Sequence, residues 1–317
     1  MKYTYIYLLA LIFIYACSSS TAEKQQKEQE ALVQKLRQDS LALKIAVLPT
    51  LDCMPLFLAE ANGMFQREGV DVRLVHYKAQ MDQDTAFLNG RVEGLVTDLV
   101  RTEYLKLKGT PLDYISSTNL QWKLITNRAA RIVRISQLED KMIAVTRFSG
   151  TDFLVDYLLD SLKLKSKNVF RVQVNDVNVR MDMLRNGIMD ALMLTEPMAT
   201  EAHNMKHRQL FDSRDLNIQL GVIAFNPIVR QDTMRQRQMK AFVKAYNMAC
   251  DSINIKGLNN YKTIISRYCH TDESTCDSLP TDFRYHHIVP PRDADVKQVS
   301  GWLKRTQNHY TNQNATK

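Results

Sequence analysis

The sequence predicts an α/β fold of two lobes, and three observations carry that expectation. Short β-branched or apolar runs alternate with helical stretches in the order β-α-β-α-β. The order occurs twice along the chain. No Pro- or Gly-rich linker divides the two occurrences, so they are expected to be lobes joined by crossing segments, each with a mainly parallel sheet.

The elements follow from local pattern. Residues 44–49, KIAVLP, form a buried strand ended by proline. Leu56, Phe57, Ala59 and Ala61 lie in a helix that begins at Pro55 and is stopped by Asn62-Gly63. Residues 70–76 alternate Val70, Val72 and Leu74 with polar neighbours, as a second strand does. A helix over 83–89 closes at Gly90, a strand over 94–97 runs into Asp98, a helix covers 102–108 and a strand 112–117. The second unit repeats the order: strand 141–146, helix 151–164, strand 170–174, helix 179–186 closed by Gly187, and strand 191–195 before Glu196-Pro197. The C-terminal third reads as helical over 232–253, 260–269 and 293–306.

The N-terminus carries an export signal. Lys2 precedes an uncharged apolar run over residues 5–16, too short for an ordinary membrane span. Ile14-Tyr15-Ala16-Cys17, followed by three serines, resembles a bacterial lipobox, with Ile14 where Leu is commonest. Cys17 is then the acylated residue, and more than one acyl chain gives a stable membrane anchor. Residues 18–43 are rich in Ser, Gln, Glu and Lys and form a polar tether, helical over 31–43.

Composition excludes some classes. The net charge of +8 is spread along the chain apart from Arg128, Arg131 and Arg134, so it describes a solvated surface and no nucleic-acid partner. Beyond Cys17 there are four cysteines; Cys269 and Cys276 are spaced for a local disulfide in an oxidising compartment. No CxxC pair or HExxH helix accompanies His270, His286 or His287, and His203 and His207 sit among charged residues, so neither a metal nor a cofactor is expected.

In open α/β sheets ligands sit beyond the carboxyl ends of the strands. The residues in those places are Thr50, Asp52 and Met54 after the first strand, Thr97 and Asp98 after the third, and Ser117 and Asn119 after the next. In the second unit they are Arg147, Ser149, Gly150 and Thr151, then Asn178, then Glu196. Ser149-Gly150-Thr151 opens a helix: Ser149 or Thr151 caps it, and the backbone N–H groups at its positive end favour an anion. Asp52, Asp98 and Glu196 are candidates to hold a cationic or hydroxyl-bearing group, or to act as caps and turns. Trp122 lines the cleft or packs at the lobe junction, the latter being the commoner use of such a residue. No Ser-His-Asp or Cys-His arrangement with a recognisable context is present.

The chain also resembles a known family. Gly63-Met64-Phe65-Gln66-Arg67-Glu68-Gly69-Val70 is similar to the G-x-F-x-x-x-G-(L/V) stretch of the nitrate, sulfonate, taurine and thiamine-precursor type of periplasmic binding protein, and the helix led by Pro55 resembles the one before it. Residues 135–145 resemble the family's lead into the second lobe, with Asp140 in place of Gly. Leu184-Arg185-Asn186-Gly187-Ile188-Met189-Asp190-Ala191 and Glu196-Pro197 match its L-x-x-G-x-x-D-A and EP motifs, and residues 289–303 its closing helix.

The resemblance covers nearly everything after residue 43. It implies a type II periplasmic binding protein fold with a two-strand hinge. The expected organisation is a signal over 1–17, a tether over 18–43, lobe 1 from 44–127 plus 222–317, and lobe 2 from 128–221. It implies a monomeric solute-binding lipoprotein, not an enzyme, held at the periplasmic or outer cell surface. Such a protein captures an organic anion or heterocycle between its lobes and hands it to an ABC permease. The resemblance leaves two alternatives: an enzyme on the same fold, of the thiamine-pyrimidine or menaquinone-route type, or a sensory or scavenging lipoprotein without a transporter.

Overall fold

The computed structural model describes residues 24–34, 37, 39–163 and 168–315. It divides into two units, Met1–Ala42 and Leu43–Lys317. In the first, residues 24–34 are helical with exposed side chains, and Gln26 donates to Glu30 one turn on at 3.0 Å. The expected signal and Cys17 lie outside the described residues.

The second unit holds two five-stranded sheets. The first uses β1 (Leu43–Val47), β2 (Val72–His76), β3 (Gly94–Asp98), β4 (Asp113–Ser117) and β10 (Gly221–Phe225), in the order β2-β1-β3-β10-β4. The second uses β5 (Lys123–Thr126), β6 (Met142–Val145), β7 (Phe170–Gln173), β8 (Ala191–Leu194) and β9 (Arg208–Asp212), in the order β7-β6-β8-β5-β9. The helices are α1 (Met54–Ala61), α2 (Met64–Arg67), α3 (Gln80–Leu88), α4 (Leu99–Leu107), α5 (Gly150–Ser161) and α6 (Val177–Arg185). They continue with α7 (Met198–Asn204), α8 (Thr233–Lys256), α9 (Lys262–Cys269), α10 (Glu273–Cys276) and α11 (Asp293–Ala315).

Each sheet is built the same way. β1 pairs in parallel with β2 and β3, placing Ile45 beside Leu74 and Gly94. β10 then enters antiparallel between β3 and β4, with Ile223 beside Val96 and Ser116. In the second sheet β6 pairs in parallel with β7 and β8, and β5 enters antiparallel between β8 and β9. The reversed strand is in each case the first one the chain forms after crossing. The expected lobe boundary at 127/128 therefore falls after a strand that the second sheet uses, Lys123–Thr126.

The two crossings, residues 118–122 and 213–220, run side by side. Trp122 and Ser213 exchange bonds: the Trp122 N–H donates to Ser213 Oγ and the Ser213 N–H to the Trp122 carbonyl, both at 2.8 Å. Gly221 ends the return crossing where only glycine fits. A Cβ there would stand 2.1 Å from Thr118 Oγ1 and 2.5 Å from Leu120 Cβ.

Apolar periodicity decides which helix faces are buried. α8 buries Ala241, Phe242, Ala245, Tyr246, Ala249, Cys250 and Ile253, a stripe at helical spacing, against α1 and the first sheet. Full burial of a ring such as Phe57 or Phe242 contributes about 1.5–3 kcal/mol. In the second lobe α5 turns Phe153, Leu154 and Leu158 inward. α11 spans the two lobes: Ser300 donates to Glu103 of α4, while Trp302 packs edge-on against Phe153 of α5.

Cysteine use differs from the expected disulfide. Cys269 and Cys276 are free thiols, as are Cys53 and Cys250, and all four are buried in the first core. Cys276 Sγ instead lies 3.8 Å from the Asp272 carbonyl within its own helical turn.

Candidate functional site

The carboxyl ends of the parallel strands of both sheets face one another across a cleft. From the first lobe Leu48, Thr50, Asp52, Gln80, Val96 and Thr97 line it. The second lobe contributes Thr146, Asn175, Val177 and Arg180, and the crossing contributes Leu120 and Trp122. The lobes are closed on it. The cavity is about 10 Å³, and one water needs roughly 10–15 Å³. A solute therefore enters only when the lobes part.

Bonds across the seam hold this closure. The Leu51 N–H donates to the Glu196 carbonyl at 3.0 Å, and the Val177 N–H to the Lys78 carbonyl at 3.2 Å. Arg101 reaches over to the carbonyls of Arg147 and Phe148 at 3.1 and 3.3 Å. Tyr104 stacks on Phe148 with ring centroids 4.7 Å apart. Gly150 donates its N–H to Asp98 Oδ2 at 2.9 Å.

The wall of the first lobe is acidic. Asp52 is buried and accepts from Thr50 Oγ1 at 2.6 Å and Thr118 Oγ1 at 3.0 Å. Burial pushes its carboxyl up, against the pull of those hydroxyls. Burial likewise raises Asp98, which the N–H groups of Gly150 and Arg101 and the Gln80 amide oppose. Gln80 bridges Thr97 and Asp98 through its side-chain amide, at 3.3 and 2.7 Å.

The wall of the second lobe carries the cation. Arg180 is 2% exposed and donates to the carbonyls of Val174 at 2.8 Å and Met193 at 3.4 Å, and to Thr146 Oγ1 at 2.5 Å. Among the described residues no carboxylate forms an ion pair with it. Burial lowers its guanidinium to about 10, against the charge of Asp176. Trp122 has its indole N–H buried without a partner.

The structure sorts the sequence candidates. Thr50, Asp52 and Thr97 line the cavity, and Asp98 and Gly150 meet beside it. Ser149 is the cap that its position implies: it accepts from the Thr151 N–H and donates to the Thr146 carbonyl. Thr151 is buried, and its hydroxyl accepts the Thr146 N–H at 2.9 Å. Arg147 is exposed and offers its carbonyl to the seam. Glu196 pairs with the buried Lys123 and accepts the Thr200 N–H at 3.0 Å, so its carboxylate is spent within its own lobe.

Four candidates lie elsewhere. Met54 is wholly buried in the first core, because α1 turns it away from the cleft. Ser117 faces the C-terminal segment, 3.3 Å from His286 Nε2. Asn119 donates to the Arg284 carbonyl on the outer side of the crossing. Asn178 is half-buried within the first turn of α6, its N–H capped by Asp176, and Asn175 takes the cleft position. Trp122 both lines the cleft and belongs to the core at the lobe junction.

Sequence reasoning passed over Gln80, Thr146, Asn175 and Arg180. A signal for Arg180 exists: Val177, Arg180, Met181 and Leu184 form the i, i+3, i+4, i+7 stripe that α6 buries. An arginine on an apolar stripe needs internal acceptors, and here they are two carbonyls and a hydroxyl.

Two α/β lobes of matched topology, closing at their strand ends on a cleft lined by both polar and apolar side chains, define a periplasmic binding protein fold. A family model described as NMT1/THI5 like matches residues 50–254, and the chain belongs to that family. Solved structures with the same fold include the periplasmic aliphatic sulphonate binding protein SsuA from Escherichia coli, with TM-score 0.68 and 15% identity over 84% of this chain and 92% of that one. The alkanesulfonate-binding protein SsuA from Xanthomonas axonopodis pv. citri, bound to MOPS, gives 0.69 and 15% over 86% and 93%. The periplasmic nitrate-binding protein NrtA from Synechocystis PCC 6803 gives 0.65 and 15% over 78% and 73%. At such identities the likeness is one of fold. No curated protein matches the chain. Among the described residues no group of three or more His, Cys, Asp or Glu is placed to hold a metal, and no helix is long and apolar enough to cross a membrane.

Proposed function

We propose that this protein is an extracytoplasmic solute-binding lipoprotein, anchored through Cys17, that captures a small organic anion between its lobes and delivers it to an ABC importer. One observation carries the ligand class: Arg180, a buried guanidinium on the cleft wall that forms no ion pair among the described residues, the charge of Asp176 only partly offsetting its burial. Burying such a charge is costly unless something compensates it. The anionic group of a solute, entering as the lobes open and close, supplies the ion pair it lacks, and Thr146 and Asn175 stand beside it as further polar contacts. The sulfonate- and nitrate-binding neighbours support an anion, and the lipobox-like segment supports the location.

Ligand capture by lobe closure needs no bond chemistry, so binding without turnover is the expected behaviour. The test is a thermal-shift screen of sulfonates, nitrate and uncharged heterocycles. A ligand at 100 times its Kd adds about 2.7 kcal/mol to stability. A shift with sulfonates that is absent with uncharged heterocycles supports the reading, and consumption of the ligand on incubation replaces it with an enzyme.

A further inference from the structure

Beside the cleft, a helix N-terminus of one lobe meets a buried carboxylate of the other. α5 runs for 12 residues from Gly150, and the N–H of Gly150 reaches the opposite lobe while those of Thr151, Asp152 and Phe153 are taken up by Ser149. A helix of this length carries partial positive charge at that end. Ser149 satisfies the N–H of Thr151, but the N–H of Gly150 donates to Asp98 Oδ2, from the other lobe. The same oxygen accepts from Gln80 at 2.7 Å, while Oδ1 caps α4 by accepting the Arg101 N–H at 2.8 Å.

Trp122 supplies an independent indication of a seat for an anion here. Its indole N–H is buried and unpartnered. Its Nε1 and Asp98 Oδ2 both lie 3.2 Å from where a Cβ on Gly150 would stand. Three donors thus converge over Gly150: a helix N-terminal N–H, the Gln80 amide and the Trp122 indole. One carboxylate oxygen, Asp98 Oδ2, answers the first two, and the indole N–H stays without an acceptor.

We propose that Asp98 is a built-in anion that occupies this seat in the closed lobes and thereby sets specificity, admitting a solute with one anionic group, bound at Arg180, and rejecting one with a second anionic group at the Gly150 end. The assignment of the solute's own anion to Arg180 rests on the function proposed above; the occupation of the seat by Asp98 does not. A dianion reaching the Gly150 end meets a like charge already holding the donors it needs.

The test uses the full chain with Asp98→Ser and Asp98→Asn. Serine keeps the helix cap of α4 and vacates the seat; asparagine keeps shape and cap and removes only the charge. Calorimetry compares ethanesulfonate with ethane-1,2-disulfonate. The wild type is expected to bind the disulfonate at least tenfold more weakly, and both variants to move the affinity ratio at least tenfold toward it, Asp98→Ser further. An unchanged ratio in folded variants, or equal binding of both probes by the wild type, overturns the proposal. Inorganic sulfate tests the seat without reference to Arg180. It should change Trp122 fluorescence saturably in D98S, with no such change in the wild type or in D98S carrying Trp122→Phe. No response of D98S to sulfate overturns the proposal. A sulfate response together with no sulfonate binding by the wild type leaves the seat standing and removes the Arg180 reading instead.

Discussion

Arg180 donates to the hydroxyl of Thr146 at 2.5 Å across the floor of the second lobe, joining α6 to the end of β6, while Asp176 acts on its charge without forming an ion pair. A guanidinium used only to brace the lobe and one held ready for an anion make different predictions. Arg180→Gln removes a buried charge that has no ion pair but also weakens its bonds to two carbonyls and a hydroxyl, so ligand-free stability is expected to stay roughly level. Sulfonate affinity is expected to fall on the order of 100-fold, the worth of a charge-assisted bond. Calorimetry and a urea melt on the same variant separate the two effects, and a loss of stability with affinity intact assigns Arg180 to structure.

Asp84 gives a pH prediction. Its Oδ2 accepts from Arg101 Nε at 2.8 Å, but its Oδ1 is buried without a partner. Burial pushes the carboxyl up to about 6, with Arg101 opposing. A raised acid pKa means the folded state holds the proton more tightly than the unfolded chain does. Its stabilising effect is complete below pH 4 and is lost as pH rises through 6. Asp84→Asn mimics the protonated form at every pH. The stability difference between variant and wild type should therefore move in the variant's favour by roughly 3 kcal/mol between pH 4 and 7. Urea denaturation at pH 4, 5, 6 and 7 measures it, and a flat difference means Asp84 is not protonated in this window.

The strands legible in the sequence are those of the β-α-β runs, where an apolar segment is bracketed by turn residues and a helix. β5, β9 and β10 escape, and they are the strands the chain forms around its crossings. β5 opens with Lys123, whose charge breaks the apolar pattern; its partner Glu196 sits 73 residues away, beyond any local signal. β10 is different: Gly221 to Phe225 is wholly buried and is bounded by glycine and Asn226-Pro227, a readable strand set among helical neighbours. At the site, loops at strand ends are legible because topology alone puts them there. Side-chain direction is not, which is why Met54 and Thr50, four residues apart, part between core and cleft.

The thiols test the redox reading of the chain. Cys53, Cys250, Cys269 and Cys276 are buried and free, and burial raises each of them, Cys250 to about 12. The thiolate is the reactive form, so these cysteines should resist an aromatic disulfide reagent at pH 8 in the native protein and react together on unfolding. Intact mass under non-reducing conditions checks the same point. A mass two hydrogens short, with Cys269 and Cys276 in one cross-linked peptide, restores the local disulfide that their spacing first indicated.

Trp302 offers a handle on lobe closure. Its indole N–H donates to Asp156 Oδ2 of α5 at 2.9 Å, and its ring meets Phe153 edge-on at 5.5 Å. One turn of α11 therefore binds the second lobe, while Ser300 on the same helix binds Glu103 of the first. Parting the lobes has to strain one of these attachments. Trp302→Phe keeps an aromatic face against Phe153 and removes only the donor, and Asp156 retains Arg171 as its ion-pair partner. The loss is then about 1 kcal/mol, a roughly fivefold shift toward the open form in the ligand-free protein. Fluorescence energy transfer between dyes on the two lobes reads that shift directly. Because a ligand then finds the open form more often, its association rate should rise by a similar factor while the closed complex loses stability. If both rates stay unchanged, α11 moves as part of one lobe and the Trp302–Asp156 bond does not resist opening.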